Sequence, residues 1–159
     1  MQRLNLKFLV GFFLATVLIC VGAYAVWAYN VKQKIAVIRQ KAVAAEEEGD
    51  LKAAVRLYQQ YLNYNAGDNE QLGKVAIMAA DIAADSEATP ADQKKAYRLL
   101  SRSLRSMPDR NDLRRKFVDV LVDRRMFSDA QKQIIELEKR NISNDELDFL
   151  YATCSEALG

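Results

Sequence analysis

Residues 49–62 read GDLKAAVRLYQQYL, and they contain a helix end, a helix start and an apolar stripe. Gly49 is a typical residue for ending one helix, and Asp50 is a typical cap for the start of the next. Ala54, Tyr58 and Leu62 are spaced four residues apart, so they lie on one side of the second helix. The stretch therefore predicts two helices that are joined by a tight turn.

The same signals divide the chain after residue 31 into helix-length segments with short links. Thr89-Pro90 reads as an N-cap followed by proline at the first helical position, and Met107-Pro108-Asp109 breaks the helix before it. No segment alternates apolar and polar residues over the length of a strand. The predicted fold class is all-α, with short links that favour antiparallel neighbours. The expected helices span residues 31–48, 51–64, 70–84, 90–106, 111–125, 128–140 and 144–158.

In the spacing of Gly49, Asp50, Ala54, Tyr58 and Leu62, the chain resembles the tetratricopeptide repeat (TPR) family. That family's unit of about 34 residues is a pair of antiparallel helices. Single pairs cannot bury their own apolar face, so several stack into a solenoid. The resemblance implies about three to three and a half units. On this register, small residues lie where two helices approach closely and larger ones fill the space to the next pair: Ala42, Ala54, Ala76, Ala96 and Ala130, with Tyr58, Leu100 and Ile134.

The sequence as a whole predicts a tail at residues 1–7, a membrane helix at 8–31 and a repeat domain at 32–159. The expected units lie near residues 35–68, 69–110 and 111–144, with a half unit at 145–159. The sequence departs from the family pattern in three ways. The second unit has extra residues around its turn at 86–92. Tyr61 occupies a position where the family prefers alanine, and Arg125 occupies the position of the family's turn glycine. Other α-solenoid families stay open. The last segment fits a terminal cap or the first helix of a longer repeat protein.

Residues Phe8–Tyr29 form an apolar run without a charge, and a helix over its 22 residues spans about 30 Å, the hydrocarbon thickness of a bilayer. Trp27 lies where an interfacial aromatic belt is expected. The sequence therefore predicts a single-pass signal anchor. The basic residues on the two sides of the run are nearly balanced, but a very short N-terminal tail before an uncleaved anchor favours an extracytoplasmic solenoid, with a cytoplasmic one as the alternative. Cleavage after Ala25, which would release a secreted protein, stays open as well. Gly11 and Ala15, with Gly22 further along, allow a homodimer through this helix.

The composition argues against several kinds of chemistry. The chain has no histidine, which excludes the commonest general base near pH 7 and most catalytic zinc sites. Cys20 and Cys154 are too few for a disulfide framework, and no glycine-rich phosphate loop is present. We expect no catalytic, cofactor-binding or metal-binding residues, and so no enzyme.

Charge is banded along the chain. Residues 43–92 carry 3 basic and 10 acidic residues, residues 93–116 carry 9 basic and 2 acidic, and residues 117–159 carry 5 basic and 9 acidic. Arg98, Arg102 and Arg105 follow one another at helical spacing in the basic band. This basic patch suits an acidic partner or anionic lipid, or it pairs internally with the acidic helices. We expect no nucleic acid partner, because aromatic residues are not interleaved with the cations.

A short membrane-anchored TPR-like solenoid resembles the adaptors that hold partner proteins or peptides on the face made by the first helix of each pair. The alternative is an anchor and repeat spacer for a functional domain beyond residue 159. The candidate partner-binding residues are polar ones that we expect to be exposed on the first helices: Gln40, Lys74, Asp81, Arg114 and Arg115.

Overall fold

The computed structural model describes residues 6–142 and 144–159, with side chains from residue 12 onward. Most of the predicted tail, including Arg3, therefore lies outside the described residues. Helix α1 runs without a break over Leu6–Glu47, 42 residues in all. It contains the predicted apolar segment and continues directly into the first helix of the solenoid, as expected. From Phe12 onward it includes an 18-residue window of mean hydropathy 2.0, none of it buried. This helix is long and apolar enough to cross a bilayer, a criterion that a signal sequence also meets.

Within the described residues, six shorter helices follow and no strand occurs. The all-α prediction is confirmed. The bounds lie within two residues of those expected from the sequence: α2 (Leu51–Tyr64), α3 (Asn69–Ala84), α4 (Pro90–Ser106), α5 (Asn111–Asp123), α6 (Phe127–Glu138) and α7 (Asp145–Leu158).

The predicted capping residues form caps. The carboxylate of Asp50 accepts a hydrogen bond from the backbone N–H of Ala53 at 2.9 Å. At the start of α4, Thr89 and Asp92 form a reciprocal capping box, and Pro90 occupies the first turn. Gly49 ends α1 with a φ of 79°, a conformation that glycine adopts without steric cost. These local contacts explain why the helix bounds were readable from the sequence.

The helices stack as antiparallel pairs. Each contacts the next along the chain, and α3 also contacts α5 across the stack. The small residues predicted at the close approaches are fully buried, and so are the three larger residues predicted to fill the gaps. One core runs from α1 to α7, and a smaller cluster holds α5, α6 and α7 together through Val118, Ile134, Leu137 and Leu147. The predicted solenoid of about three and a half helix pairs is confirmed.

The second pair accommodates its extra residues in two places. Its turn, residues 85–89, is longer than the turns at 48–50 and 124–126. Its helices are longer too, with 16 and 17 residues in α3 and α4 against 13 and 12 in α5 and α6. The insertion that we expected in the turn is thus shared with the helices beside it.

Candidate partner-binding surfaces

The first helices of the pairs, α1, α3 and α5, contribute to one surface of the solenoid. A groove of about 510 Å³ lies between α1 and α3 on this surface. Lys74, one of the predicted residues, projects into it. Three cationic side chains and two carboxylates lie around the groove, so it is polar and mixed in charge. The lining residues are Arg39, Asp68, Glu70, Gln71, Lys74, Ile77 and Arg110.

Lys74 is held by an ion pair that joins α3 to α1. Its Nζ lies 2.7 Å from Oε2 of Glu46, and it also lies 5.5 Å from the centre of the Tyr58 ring. The Tyr58 hydroxyl donates a hydrogen bond to the same Glu46 oxygen at 2.8 Å. The hydrogen bond from Lys74 lowers the pKa of the Glu46 carboxyl. Burial, with the Glu46 carboxylate beside it, raises the pKa of Tyr58 to about 12. Three helices therefore meet at one carboxylate.

The end of the same groove nearest the α2–α3 turn carries a second tyrosine–carboxylate pair. The Tyr61 hydroxyl donates to Oδ2 of Asp68 at 2.8 Å, and this hydrogen bond raises the pKa of Tyr61. Beside it, Nε2 of Gln71 is buried without a hydrogen-bond partner among the described residues. An amide donor left in this position is able to bind a carbonyl or carboxylate that enters the groove.

A second groove, of about 720 Å³, lies along α1 on the side of Tyr61 and Asn65. Gln40 of α1 lines this groove, and Arg39 lines both grooves. The predicted residues Gln40 and Lys74 therefore lie in two adjoining grooves. The floor is largely apolar, with Ile35, Val43 and small alanines from α1.

Asp81 and Arg115 occupy the next steps of the same surface. Lys116 of α5 pairs with Asp81 of α3, with Nζ 2.6 Å from Oδ1. Arg115 of α5 pairs with Glu146 of α7 and also with Asp119 on its own helix. Together with the pair between Lys74 and Glu46, these contacts form a ladder of ion pairs between successive first helices. Three of the predicted residues, Lys74, Asp81 and Arg115, thus also connect one helix pair to the next.

The expectation that Arg114 is exposed is wrong. Only 8% of the residue is accessible, because it lies one helical turn before the fully buried Val118, on the side of α5 that packs against α6. Its guanidinium donates to the side-chain oxygen of Gln133 and, at 2.8 Å, to the carbonyl of Pro108. Nε has no partner among the described residues. Burial lowers the pKa of this guanidinium. Arg114 is therefore a packing residue between α5 and α6.

The predicted basic patch lies on α4, away from the first helices. Arg98, Arg102 and Arg105 are exposed and line a groove of about 510 Å³ between α4 and α2. Gln59 of α2 lies opposite, and Tyr97, Leu99 and Ser101 complete the lining. This groove, which we call the arginine groove, has no lining residue in common with the grooves on the first helices.

The sequence did not reveal Arg39, Gln71 and Arg110 as groove residues. Arg39 had a detectable signal, because it lies in the exposed stripe of the helix after the apolar run. The positions of Gln71 and Arg110 depend on how α3 lies between α1 and α5, which no local pattern encodes. Among the described residues, no group of three or more His, Cys, Asp or Glu side chains is placed to hold a metal ion.

No protein-family model matches the sequence, and no curated protein matches it significantly. Solved structures do resemble the chain. MamA from Desulfovibrio magneticus RS-1 aligns over 78% of this chain and 66% of that one, with a TM-score of 0.61 and 14% identity. The alignment therefore covers slightly less than two thirds of the solved MamA chain, which runs from residue 41 to the end.

Two TPR domains also align over 78% of the chain. One is the TPR2B domain of yeast Sti1 in its complex with pHsp70, with a TM-score of 0.55 and 15% identity over 98% of that domain. The other is the TPR domain of Arabidopsis OM64, with a TM-score of 0.58 and 10% identity over 96% of that domain. At these identities the likeness establishes the fold and nothing finer. The helix pairs of this chain form an α-solenoid of the tetratricopeptide-repeat type.

Proposed function

We propose that the chain is a non-catalytic, membrane-anchored adaptor that holds partner proteins or peptides on the surface of its first helices. The observation that carries the proposal is the continuity of α1. Its N-terminal half is apolar and exposed, while its C-terminal half is the first helix of the solenoid. A rigid connection of this kind holds the groove surface at a defined height above a bilayer. It raises the local concentration of a partner there without any bond making.

The partner site that we propose joins the groove on α1 to the groove between α1 and α3, with Gln40 and Lys74 as its polar contacts. Asp81 and Arg115 extend it along the ladder of ion pairs. The unpartnered amide of Gln71 supports a peptide ligand, because a buried donor gains a full hydrogen bond from an incoming carbonyl. Among the structural neighbours, the Sti1 domain is solved in a complex with pHsp70, which supports a protein or peptide as the partner class.

Photo-crosslinking tests the site. A photoreactive residue at Gln40 or at Glu70 should give the same adducts in cells, because both positions lie on the first-helix surface. The same residue at Gln60, which is exposed on α2, serves as the matched control and should give none of these adducts. Arg39→Glu should reduce the adducts, since Arg39 lines both grooves. Equal adducts from Gln60, or no adducts at Gln40 and Glu70, would contradict the proposed site.

We propose that the solenoid lies outside the cytoplasm. Cys154 is a poor reporter of topology, because it is buried and its burial raises the pKa of the thiol. A better reporter is Ser86→Cys in a Cys20→Ala background, because Ser86 is exposed in the turn between α3 and α4. A membrane-impermeant maleimide should label this variant in intact cells. Labelling only after lysis would place the solenoid in the cytoplasm, and a mature mass that begins at Val26 would contradict the anchor.

A homodimer through α1 is a further part of the proposal. Gly22 lies 16 and 20 residues before Ile38 and Ala42, so it is on roughly the opposite side of α1 from these two residues, which pack into the core. Gly22 has open space around its Cβ position. Gly22→Leu should weaken dimer formation in neutral lipid, whereas Val21→Leu should leave it unchanged. Equal association of both variants would contradict this contact.

The alternative function, a spacer for a following domain, is favoured by the surface of α7. Phe149 is 70% exposed and Leu158 is 52% exposed on that helix. Exposed apolar side chains on a terminal helix suit a further packing element better than a polar cap. The intact mass of the endogenous protein decides between the two: a mass close to 18.0 kDa supports the self-contained adaptor, and a much larger one supports the spacer.

A further inference from the structure

We propose that the arginine groove is a second docking surface, distinct from the first-helix site, and that it takes the acidic face of a helix from a partner protein. The structure brings three guanidinium groups into one groove between α4 and α2. No side-chain hydrogen bond or ion pair from Arg98, Arg102 or Arg105 to any residue within 12–142 or 144–159 is present. The internal pairing that the sequence left open therefore does not use these arginines.

No acidic side chain lines the arginine groove among the described residues. Two carboxylates of the acidic band pair with other cations: Asp92 pairs with Lys52 and caps α4, and Asp81 pairs with Lys116. Like charges three and four residues apart on a helix surface repel one another and destabilise the helix. Arg105 lies in the last turn of α4, where a cation interacts favourably with the helix dipole, but Arg98 and Arg102 have no such compensation.

The spacing of the row favours a helical ligand. From Arg98 to Arg102 the helix rises about 6 Å, and from Arg102 to Arg105 about 4.5 Å. Glutamates at positions i, i+4 and i+7 of a partner helix repeat both steps. Alternate residues of an extended chain are about 6.8 Å apart, so their carboxylates run past the third arginine. Each guanidinium presents a planar fork of donors that matches a carboxylate.

Other anionic partners fit the groove less well. A bilayer surface is flat, whereas these arginines line a depression with α2 on its other side. Single-stranded nucleic acid needs a free aromatic ring for stacking. The ring of Tyr97, the aromatic residue of this groove, packs against Phe117 with centroids 5.5 Å apart, and the guanidinium of Arg124 lies 5.3 Å from its centre. The acidic helix is therefore the occupant to test.

The test uses the full chain in nanodiscs of neutral phosphatidylcholine and a fluorescent, alanine-based helical peptide. One peptide carries glutamates at i, i+4 and i+7. A second has the same composition with the glutamates spread around the helix, and a third has glutamine in their place. Fluorescence anisotropy at low ionic strength should show binding of the first peptide, about fivefold weaker binding of the second and none of the third. Equal affinity for the first two, or no binding of the first, would overturn the proposal.

The charge-removing variant Arg98→Gln/Arg102→Gln/Arg105→Gln should weaken binding of the first peptide at least about tenfold. The matched control Lys34→Gln/Lys41→Gln/Lys132→Gln removes the same net charge from exposed positions on other helices and should stay within about twofold. Far-UV circular dichroism verifies that both variants keep their helices. The variant Arg98→Lys/Arg102→Lys/Arg105→Lys keeps the charge but removes the planar guanidinium groups, and it should bind the first peptide more weakly than the native chain. Equal binding would overturn the role proposed for the guanidinium groups.

Two further measurements separate this groove from the membrane and from the first-helix site. Phosphatidylserine in the nanodisc should leave peptide binding unchanged, and displacement of the peptide by this lipid would assign the arginines to the bilayer. Arg39→Glu, which disrupts the proposed first-helix site, should also leave it unchanged. Loss of peptide binding in that variant would show a single site and overturn the assignment of a second.

Discussion

Tyr58 is fully buried, yet its hydroxyl reaches Glu46 on the preceding helix while Lys74 of the following helix lies over its ring. Its pKa is raised to about 12, first by burial and then by the neighbouring carboxylate. A folded-state pKa above the unfolded value of about 10 means that the neutral phenol stabilises the fold. That contribution is complete below pH 10 and is lost as the pH rises towards 12.

We therefore expect the free energy of unfolding to fall by about 2–3 kcal/mol between pH 10 and 12. Tyr58→Phe should cost about 1 kcal/mol at neutral pH, through the lost hydrogen bond, and should flatten much of the alkaline dependence. Urea unfolding of the full chain in detergent, followed by circular dichroism, measures both. Tyr64→Phe is the control, since Tyr64 is 56% exposed. An alkaline slope in Tyr58→Phe as steep as in the native chain would contradict the assignment.

Arg125, in contrast to Tyr58, has a local conformation that destabilises the fold. It occupies the turn between α5 and α6 with a φ of 57°, the left-handed conformation that Gly49 adopts at the equivalent turn. A residue with a Cβ atom is strained there by about 1–2 kcal/mol. The sequence showed that a turn glycine was missing, and the backbone conformation is kept all the same because the helices on both sides require it.

Arg125→Gly should raise the free energy of unfolding by about 0.5–1 kcal/mol, which is the relieved strain less the added freedom of the unfolded chain. Gly49→Ala should lower it by about 1 kcal/mol. Its Cβ would meet nothing within 4 Å, so the effect comes from the backbone alone. Thermal unfolding of both variants provides the comparison, and a destabilising Arg125→Gly would exclude strain at this turn.

At the scale of helices, Arg114 and Arg115 separate into two roles although they are adjacent on α5. Successive residues differ by about 100° around a helix. Arg114 therefore faces α6 and is buried, whereas Arg115 faces α7 and pairs with Glu146. Sequence spacing placed both near the surface, since arginine is mostly exposed in proteins. Which side of α5 would be covered depended on the position of α6.

Arg114→Ala should destabilise the solenoid by about 2 kcal/mol, because it leaves the oxygens of Gln133 and Pro108 without their donor and removes packed methylene groups. Arg114→Met, which keeps the packed chain, should cost less. Arg98→Ala is the control and should change stability by less than about 0.5 kcal/mol, since Arg98 is exposed and unpaired within the described residues. Denaturant unfolding measures all three. Equal stabilities for Arg114→Ala and Arg98→Ala would show that Arg114 is not a packing residue.

At the scale of the molecule, the stability of each helix pair in a solenoid depends on its own packing and on its contacts with the neighbouring pairs. Leu147 joins α7 to the small cluster of α5 and α6, whereas Leu100 lies in the core shared by the central helices. Both are fully buried. The two positions allow a test of how far a local defect spreads.

Leu147→Ala should speed hydrogen exchange in α6 and α7 and leave α2, α3 and α4 as protected as before, because a lost side chain of this size costs about 2–4 kcal/mol locally. Leu100→Ala should speed exchange across α2 to α5. Hydrogen–deuterium exchange of the full chain resolves the helices individually. Uniform acceleration in Leu147→Ala would show a single cooperative unit instead.

The sequence by itself determined the all-helical class, the helix bounds, the apolar N-terminal helix and the register of the stacked pairs. Caps such as Asp50 and Thr89, and stripes such as Ala54, Tyr58 and Leu62, act within a few residues, so the chain shows them directly. Only the tertiary structure decided the burial of Arg114, the ladder of ion pairs between first helices and the lack of partners, among the described residues, for Arg98, Arg102 and Arg105 of α4. Each depends on which side of one helix a distant helix covers, and local periodicity does not contain that information.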